Sequence, residues 1–170
     1  MNHNIIILEG PDGSGKSTLA KRANKHSTYI HGGAVRDTLQ EQIECAIDQL
    51  KAAAVLSKWE TVIIDRSVLS IFAYERALGN TNELDKHSDL LNEALNLMNQ
   101  CNVIICLPEK TKWLKVFKDE RESKGELYTG EEFMSCVYDE YEKLLNENPG
   151  YIRYSYTEKN PLNLTIDNIK

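Results

Sequence analysis

The chain has 170 residues and a formal charge of −6, with 41% hydrophobic and 27% charged residues. That length suits a single domain over 1–170 with a sizeable core, and the acidic balance argues against a protein whose main task is to grip duplex nucleic acid by its phosphates. Its apolar runs fall far short of the ~20 residues a bilayer span needs and no basic-then-apolar leader opens it, so a cytoplasmic protein with no membrane partner is expected.

The first predicted strand, Ile5–Leu8, runs straight into Gly10-Pro11-Asp12-Gly13-Ser14-Gly15-Lys16-Ser17, and Leu19, Ala20 and Ala23 then mark one face of a helix. The octapeptide fits G-x-x-x-x-G-K-[ST], the phosphate-cradling pattern. Its glycines let the backbone turn with amide hydrogens inward, and the following helix adds a positive dipole end. At this spacing Lys16 supplies a mobile charge for the outer phosphates, and the Ser17 hydroxyl is the expected ligand of a magnesium ion that keeps most of its waters. Gly10, Asp12, Gly13, Ser14, Gly15, Lys16, Ser17 and Thr18 are therefore the candidate cofactor contacts, with ATP and Mg2+ as the cofactors. The competing reading is a Gly-rich turn that happens to carry Lys-Ser.

A second strand is predicted at Thr28–Ile30, and then a helix from Thr38 to Lys58 with Leu39, Ile43, Ala46, Ile47 and Leu50 along one side. The third strand, Val62–Ile64, ends in Asp65-Arg66-Ser67. An acid at a strand end is a common holder of magnesium through water. The arginine beside it suits an enzyme that must also neutralise a second anion, since a plain nucleotide hydrolase has little use for it there.

Leu84, Leu91, Leu95, Met98 and Cys101 keep a helical stripe that Asn80 and Glu83 are placed to cap. Val103–Leu107 is the fourth strand. Lys115, Lys118, Arg121 and Lys124 follow at three-residue spacing, either a cationic lid over phosphates or a solvated face paired with Asp119, Glu120 and Glu122. Thr129 and Glu132 have capping-box spacing ahead of the stripe Phe133, Val137, Tyr141 and Leu144. Asn146–Gly150 reads as a turn before a weaker fifth strand, Tyr151–Tyr156. Strands alternating with helices imply an α/β P-loop three-layer sandwich, about five parallel strands with helices on both faces and ligands at the strands' carboxyl ends. The loop after the first strand should then face the end of the third. The four cysteines and four histidines are dispersed without metal-ligand spacing.

Two blocks, Leu8-Glu9-Gly10-Pro11-Asp12-Gly13-Ser14-Gly15-Lys16-Ser17-Thr18 and Asp65-Arg66-Ser67-x-x-Ser70-x-x-Ala73-Tyr74, make the chain resemble the thymidylate kinase family, with deoxynucleoside kinases as more distant relatives. The resemblance implies phosphorylation of a deoxynucleoside monophosphate, dTMP or a related one, to the diphosphate. The alternatives are a deoxynucleoside kinase, whose members commonly carry Glu-Arg-Ser here, and a nucleotide-binding or NTP-hydrolysing protein. It further implies that Lys16, Arg66, Arg121 and Asp65 are catalytic, with Asp65 holding magnesium through water beside Ser17. Asp12, Arg36, Arg66, Ser70 and Tyr74 would bind the acceptor, with Asp12 near its 3'-hydroxyl or the magnesium waters and Tyr74 against the sugar edge. A lid over about 115–128 and a homodimer formed through helices are implied in the same way. Ile71 and Glu75 depart from the family's usual polar residue and its Gln or Ser. His31-Gly32-Gly33-Ala34-Val35-Arg36 replaces its Arg-Glu-Pro-Gly, and no arginine lies between Leu50 and Lys58.

Overall fold

A computed structural model describes residues 4–22, 27–32, 36–124 and 130–157, the side chains of 120–124 excepted. Strand β1 (Ile5–Glu9) leads through the Gly-rich loop to α1 (Lys16–Arg22). Then come β2 (Ser27–His31), α2 (Leu39–Leu56), β3 (Thr61–Asp65), α3 (Val68–Ala77), α4 (Thr81–Lys86) and α5 (Ser88–Met98). The chain continues with β4 (Asn102–Cys106), α6 (Lys110–Lys124), α7 (Glu131–Glu147) and β5 (Ile152–Tyr154). The strands form one sheet in the order β2-β3-β1-β4-β5, and every neighbouring pair is parallel. This is the five-stranded α/β architecture the alternating pattern predicts.

The order also dictates how the helices divide. Crossovers between parallel strands are right-handed, and of the four connections only β1 to β2 steps toward the β2 edge. The helix on that connection, α1, must therefore lie on the opposite face from α2 through α7. The core follows suit. Ile5, Ile7, Val62, Ile64, Val103 and Ile105 pack in one large cluster with side chains of α2 through α7. On the other face Ile6, Leu8, Ile63, Ile104 and Cys106 meet Leu19 of α1. Strands buried on both faces need continuous apolar runs, which is why β1, β3 and β4 do not alternate.

Helix α2 starts on a complete capping box: Thr38 accepts from the Glu41 amide at 3.2 Å while the Glu41 carboxylate accepts from the Thr38 amide at 3.2 Å. The predicted helix through Leu84–Cys101 is two helices broken at His87. Leu84, Leu91 and Met98 still share one buried cluster, so the break leaves the hydrophobic phase intact and hides from a periodicity argument. Asn80 stands at the N-cap of α4 but makes no side-chain capping bond; its Nδ2 donates to Glu75 at 2.9 Å. Helix α7 opens at Glu131 after Gly130, and Thr129, the expected cap, lies outside the described residues. No helix among the described residues is long and apolar enough to cross a membrane. Of the free cysteines Cys106 is buried, Cys45 and Cys101 are half-buried, and Cys136 is exposed.

Candidate active site

Strands β1 and β3 are neighbours with Leu8 opposite Asp65, so the segments that leave their carboxyl ends start side by side. The loop after β1 needs glycine at two places. Gly10 has φ +134°, and a Cβ there would sit 2.3 Å from the Cys106 carbonyl oxygen; Gly15 has φ +91° and lies against the Tyr156 ring. The loop wraps the ammonium of Lys16, which donates to the carbonyls of Gly10 and Pro11 at 2.8 Å each and to Ser14 Oγ at 3.4 Å. Burial, reinforced by Arg66, lowers its pKa to about 8, with Asp65 and Asp12 opposing. An arriving polyanion would restore the full charge.

Ser17 Oγ lies 3.4 Å from Asp65 Oδ2, which also accepts from Tyr29 OH at 2.5 Å. Burial and that bond push the Tyr29 pKa up to about 12. The other oxygen, Asp65 Oδ1, is buried with no hydrogen-bond partner among the described residues. Such an atom costs about 1–3 kcal/mol unless something satisfies it. A hydrated divalent cation beside Ser17 would bring water within reach of this carboxylate, and the residues present therefore fit magnesium. Among the described residues no cluster of three or more His, Cys, Asp or Glu forms a cage for any other metal.

Arg66 turns the chain sharply. It is the one non-glycine residue with positive φ, +74°, among the described residues, a conformation that costs about 1–2 kcal/mol. Three bonds hold it there: Arg66 N–H to Leu8 O at 2.9 Å, Gly32 N–H to Asp65 O at 2.7 Å, and Ser67 N–H to Glu9 Oε1 at 2.6 Å. Gly32 is required, since a Cβ would come 2.2 Å from the Arg66 carbonyl oxygen. The guanidinium donates to the Asp12 carboxylate through Nη2 and to Ser70 Oγ at 3.3 Å through Nη1, and lies 5.5 Å from the Tyr74 ring centre. Burial pulls its pKa down, but Tyr141, Tyr74, Asp12 and Glu9 outweigh that and raise it. Arg66 is a permanent charge.

Beneath it lies a carboxylate that motif reasoning did not single out. Glu9 is wholly buried, and its Oε2 accepts from Ser70 Oγ at 2.6 Å and Tyr141 OH at 3.1 Å. Burial pushes its pKa up, while Ser70, Arg66, Ser67 and Tyr141 pull it back. This knot ties β1 to α3 and α7 under the arginine. Trp113 is a second omission: its indole N–H donates to the Asp12 carbonyl at 2.7 Å and pins the loop from α6. The signal for Glu9 was an acid ending an apolar strand; none identified Tyr141 or Trp113.

Two cavities meet at this point. The first, about 830 Å³, holds Asp12 through Thr18 of the loop with Arg22, Asp65, Arg66, Val116, Phe117, Tyr154 and Tyr156. The second, about 400 Å³, is lined from α2 and α3 and includes Ser67, Ser70 and Tyr74. They share Asp12 and Arg66. Gly10 contributes its carbonyl to Lys16 without lining either. Arg36 lines neither cavity; it is exposed and donates to the sulfur of Cys45, which does line the second. Of the cationic row, Lys115 and Lys118 are exposed and line neither cavity, whereas Val116 and Phe117 on the same helix line the first. The side chains of Arg121 and Lys124 lie outside the described residues, as does the rest of the expected lid from 125 to 128.

No protein-family model matches the chain, and no curated protein matches it either. Solved structures do. A deoxyadenosine kinase from M. mycoides with bound dATP is similar at 19% identity over 88% of this chain and 89% of that one, with a TM-score of 0.58. The YorR protein of Bacillus subtilis in complex with phosphorylated GDP is similar at 21% identity over 89% and 84%, with a TM-score of 0.59. At these identities the likeness establishes the shared fold.

Proposed function

We propose that this protein is an ATP- and magnesium-dependent kinase that transfers a terminal phosphoryl group to a deoxynucleoside monophosphate. One observation carries the reading: a permanently charged guanidinium and its carboxylate partner, Arg66 and Asp12, form the common wall of two cavities, the first of which is lined by the phosphate loop from Asp12 to Ser17. An arginine so placed can touch a donor phosphate from one side and an acceptor phosphate from the other. A phosphate oxygen is already ionised near neutral pH, so the transfer needs positioning and charge neutralisation more than a strong base.

In this reading the loop amides and Lys16 bind the donor phosphates. Ser17 and, through water, Asp65 would hold magnesium, which when bound would supply positive charge that offsets the negative charge of the donor phosphates. Arg66 trades part of its Asp12 contact for the acceptor, while Ser70 and Tyr74 keep its plane fixed. Val116 and Phe117 exclude water from the first cavity, and the cationic end of α6, Arg121 included, is the proposed lid. The likeness to a deoxyadenosine kinase from M. mycoides supports an acceptor of nucleoside type, and it fits the neutral nucleoside of the second reading at least equally well.

A second reading has its own support. Among the described residues, the second cavity is lined by no cation other than Arg66 and by two carboxylates, Asp12 and Glu75, a balance that suits a neutral 5'-hydroxyl better than a dianion. Asp65 would then accept the hydroxyl proton as general base. The test is direct. Deoxynucleosides and their monophosphates are incubated with ATP and magnesium and the products separated: diphosphate from a monophosphate is expected, monophosphate from a nucleoside selects the second reading, and acceptor-independent ADP release defeats both.

A further inference from the structure

The second cavity is a slot between two helices. Helix α2 gives it Gln42, Cys45, Ala46 and Gln49, a spacing of three, four and seven residues that puts all four on one face. The two middle side chains are small and the outer two are amides, so a planar ring can lie flat against α2 with hydrogen-bonding groups at both ends. The facing wall runs from Ser67 to Leu78 of the α3 segment and starts at Arg66. Ser67 Oγ is buried there with no hydrogen-bond partner among the described residues, an unmet demand on the same wall. From Ser70 to Glu75 the helix climbs ~7.5 Å, comparable with the length from a sugar 5'-carbon to the far edge of a base. A nucleoside with its 5' end at Arg66 therefore brings its base to Glu75 and Gln49.

Glu75 fixes the polarity at that end. An amide can turn to offer either of its atoms, whereas a carboxylate only accepts. Asn80 Nδ2 holds one Glu75 oxygen at 2.9 Å, which steadies the group, and a carboxylate retains further acceptor sites. Adenine, cytosine and guanine present an exocyclic amino group, a donor at the base edge that a carboxylate accepts well. Thymine does not: its single donor, N3–H, sits between two carbonyl oxygens, and a carboxylate that reaches it faces both sets of lone pairs. We infer that the second cavity selects an acceptor whose base carries an exocyclic amino group, read by Glu75 together with Gln49, and disfavours thymine.

The inference rests on the reading of this cavity as the acceptor site, and holds whether the acceptor enters as nucleoside or as monophosphate. Calorimetric titration of deoxycytidine, deoxyadenosine, thymidine and their monophosphates into the full chain, without ATP, tests it apart from turnover. Amino-bearing acceptors are expected to bind roughly tenfold more tightly than their thymine counterparts, the lower part of the range for one well-placed base contact. Glu75→Gln, which keeps shape and adds a donor, should bring that ratio close to one; Gln49→Leu should lower it as well, with thermal melts confirming that each variant is folded. Thymine compounds binding equally or better, an unchanged ratio in folded Glu75→Gln, or no binding by any base overturns the inference. Preferential phosphorylation of thymidylate sinks it while leaving the kinase reading intact. The expected binding order without phosphoryl transfer does the reverse.

Discussion

The two cavities that meet at Arg66 are built from different materials. The floor of the first is a glycine-shaped loop folded around one ammonium that bonds to the carbonyls of Gly10 and Pro11. In the second the contacts are side chains, drawn from two helices whose lining residues begin at Gln42 and Ser67. A backbone cradle carries one chemistry, the binding of anions, and changing any single side chain around it leaves most of it in place. A slot made of side chains can be re-specified one substitution at a time. That asymmetry lets a phosphate site persist while acceptor choice drifts.

Substitutions at the boundary test the contrast most severely. Lys16→Ala should lower turnover about a thousandfold, the upper range for removing one charge-stabilising donor, and leave the thermal midpoint nearly unmoved; a loss under tenfold would place the transferred phosphate elsewhere. Arg66→Ala should cost about a hundredfold in kcat/KM, and Arg66→Lys should recover little, because an ammonium cannot span Asp12 and Ser70 with one rigid plane. If Arg66→Ala affected only ATP affinity, the arginine would belong to the first cavity alone.

A smaller effect probes the support beneath. Glu9→Gln should destabilise the fold by about 2 kcal/mol in urea unfolding, since one face of an amide is a donor set against the Ser67 amide or the Ser70 and Tyr141 hydroxyls, which all point at acceptors in the native protein. Unchanged stability would mean the knot is idle.

The smallest expected effect is one of pH. Lys16 in the nucleotide-free protein titrates near 8, and bound phosphates favour its charged form and so raise that value. Binding at pH 8.5 should therefore take up protons, and ATP affinity should fall roughly tenfold between pH 7.5 and 9.5 as the free protein loses the charge. Calorimetry in two buffers of different ionisation enthalpy measures both, and proton release would contradict the assignment.

What could be read in advance divides along the same line. Gly10 through Ser17 announce themselves because backbone geometry demands particular residues at particular intervals. Strands β1, β3 and β4 stand out because the middle of a sheet covered on both faces needs nearly unbroken Ile, Leu and Val, whereas the edge strands β2 and β5 carry one isoleucine each and read more weakly. Asp65-Arg66 was visible as an acid and a base where a strand runs out. Glu9, in contrast, acquires its role only when Tyr141 comes to it from 132 positions away, and no local pattern encodes that meeting. The break at His87 was silent because both halves bury the same side. The Thr38–Glu41 box could have been found from spacing alone.

One consequence follows from the solitary placement of α1. This seven-residue segment buries only Leu19 and Lys16, and among the described residues it is the sole helix on its side of the sheet. With so little packing beneath it, a nucleotide bound in the loop at its head should add measurably to its order. Amide exchange along Leu19–Arg22 should accordingly slow on nucleotide addition far more than exchange in α2 or α7, making this short stretch a built-in gauge of occupancy.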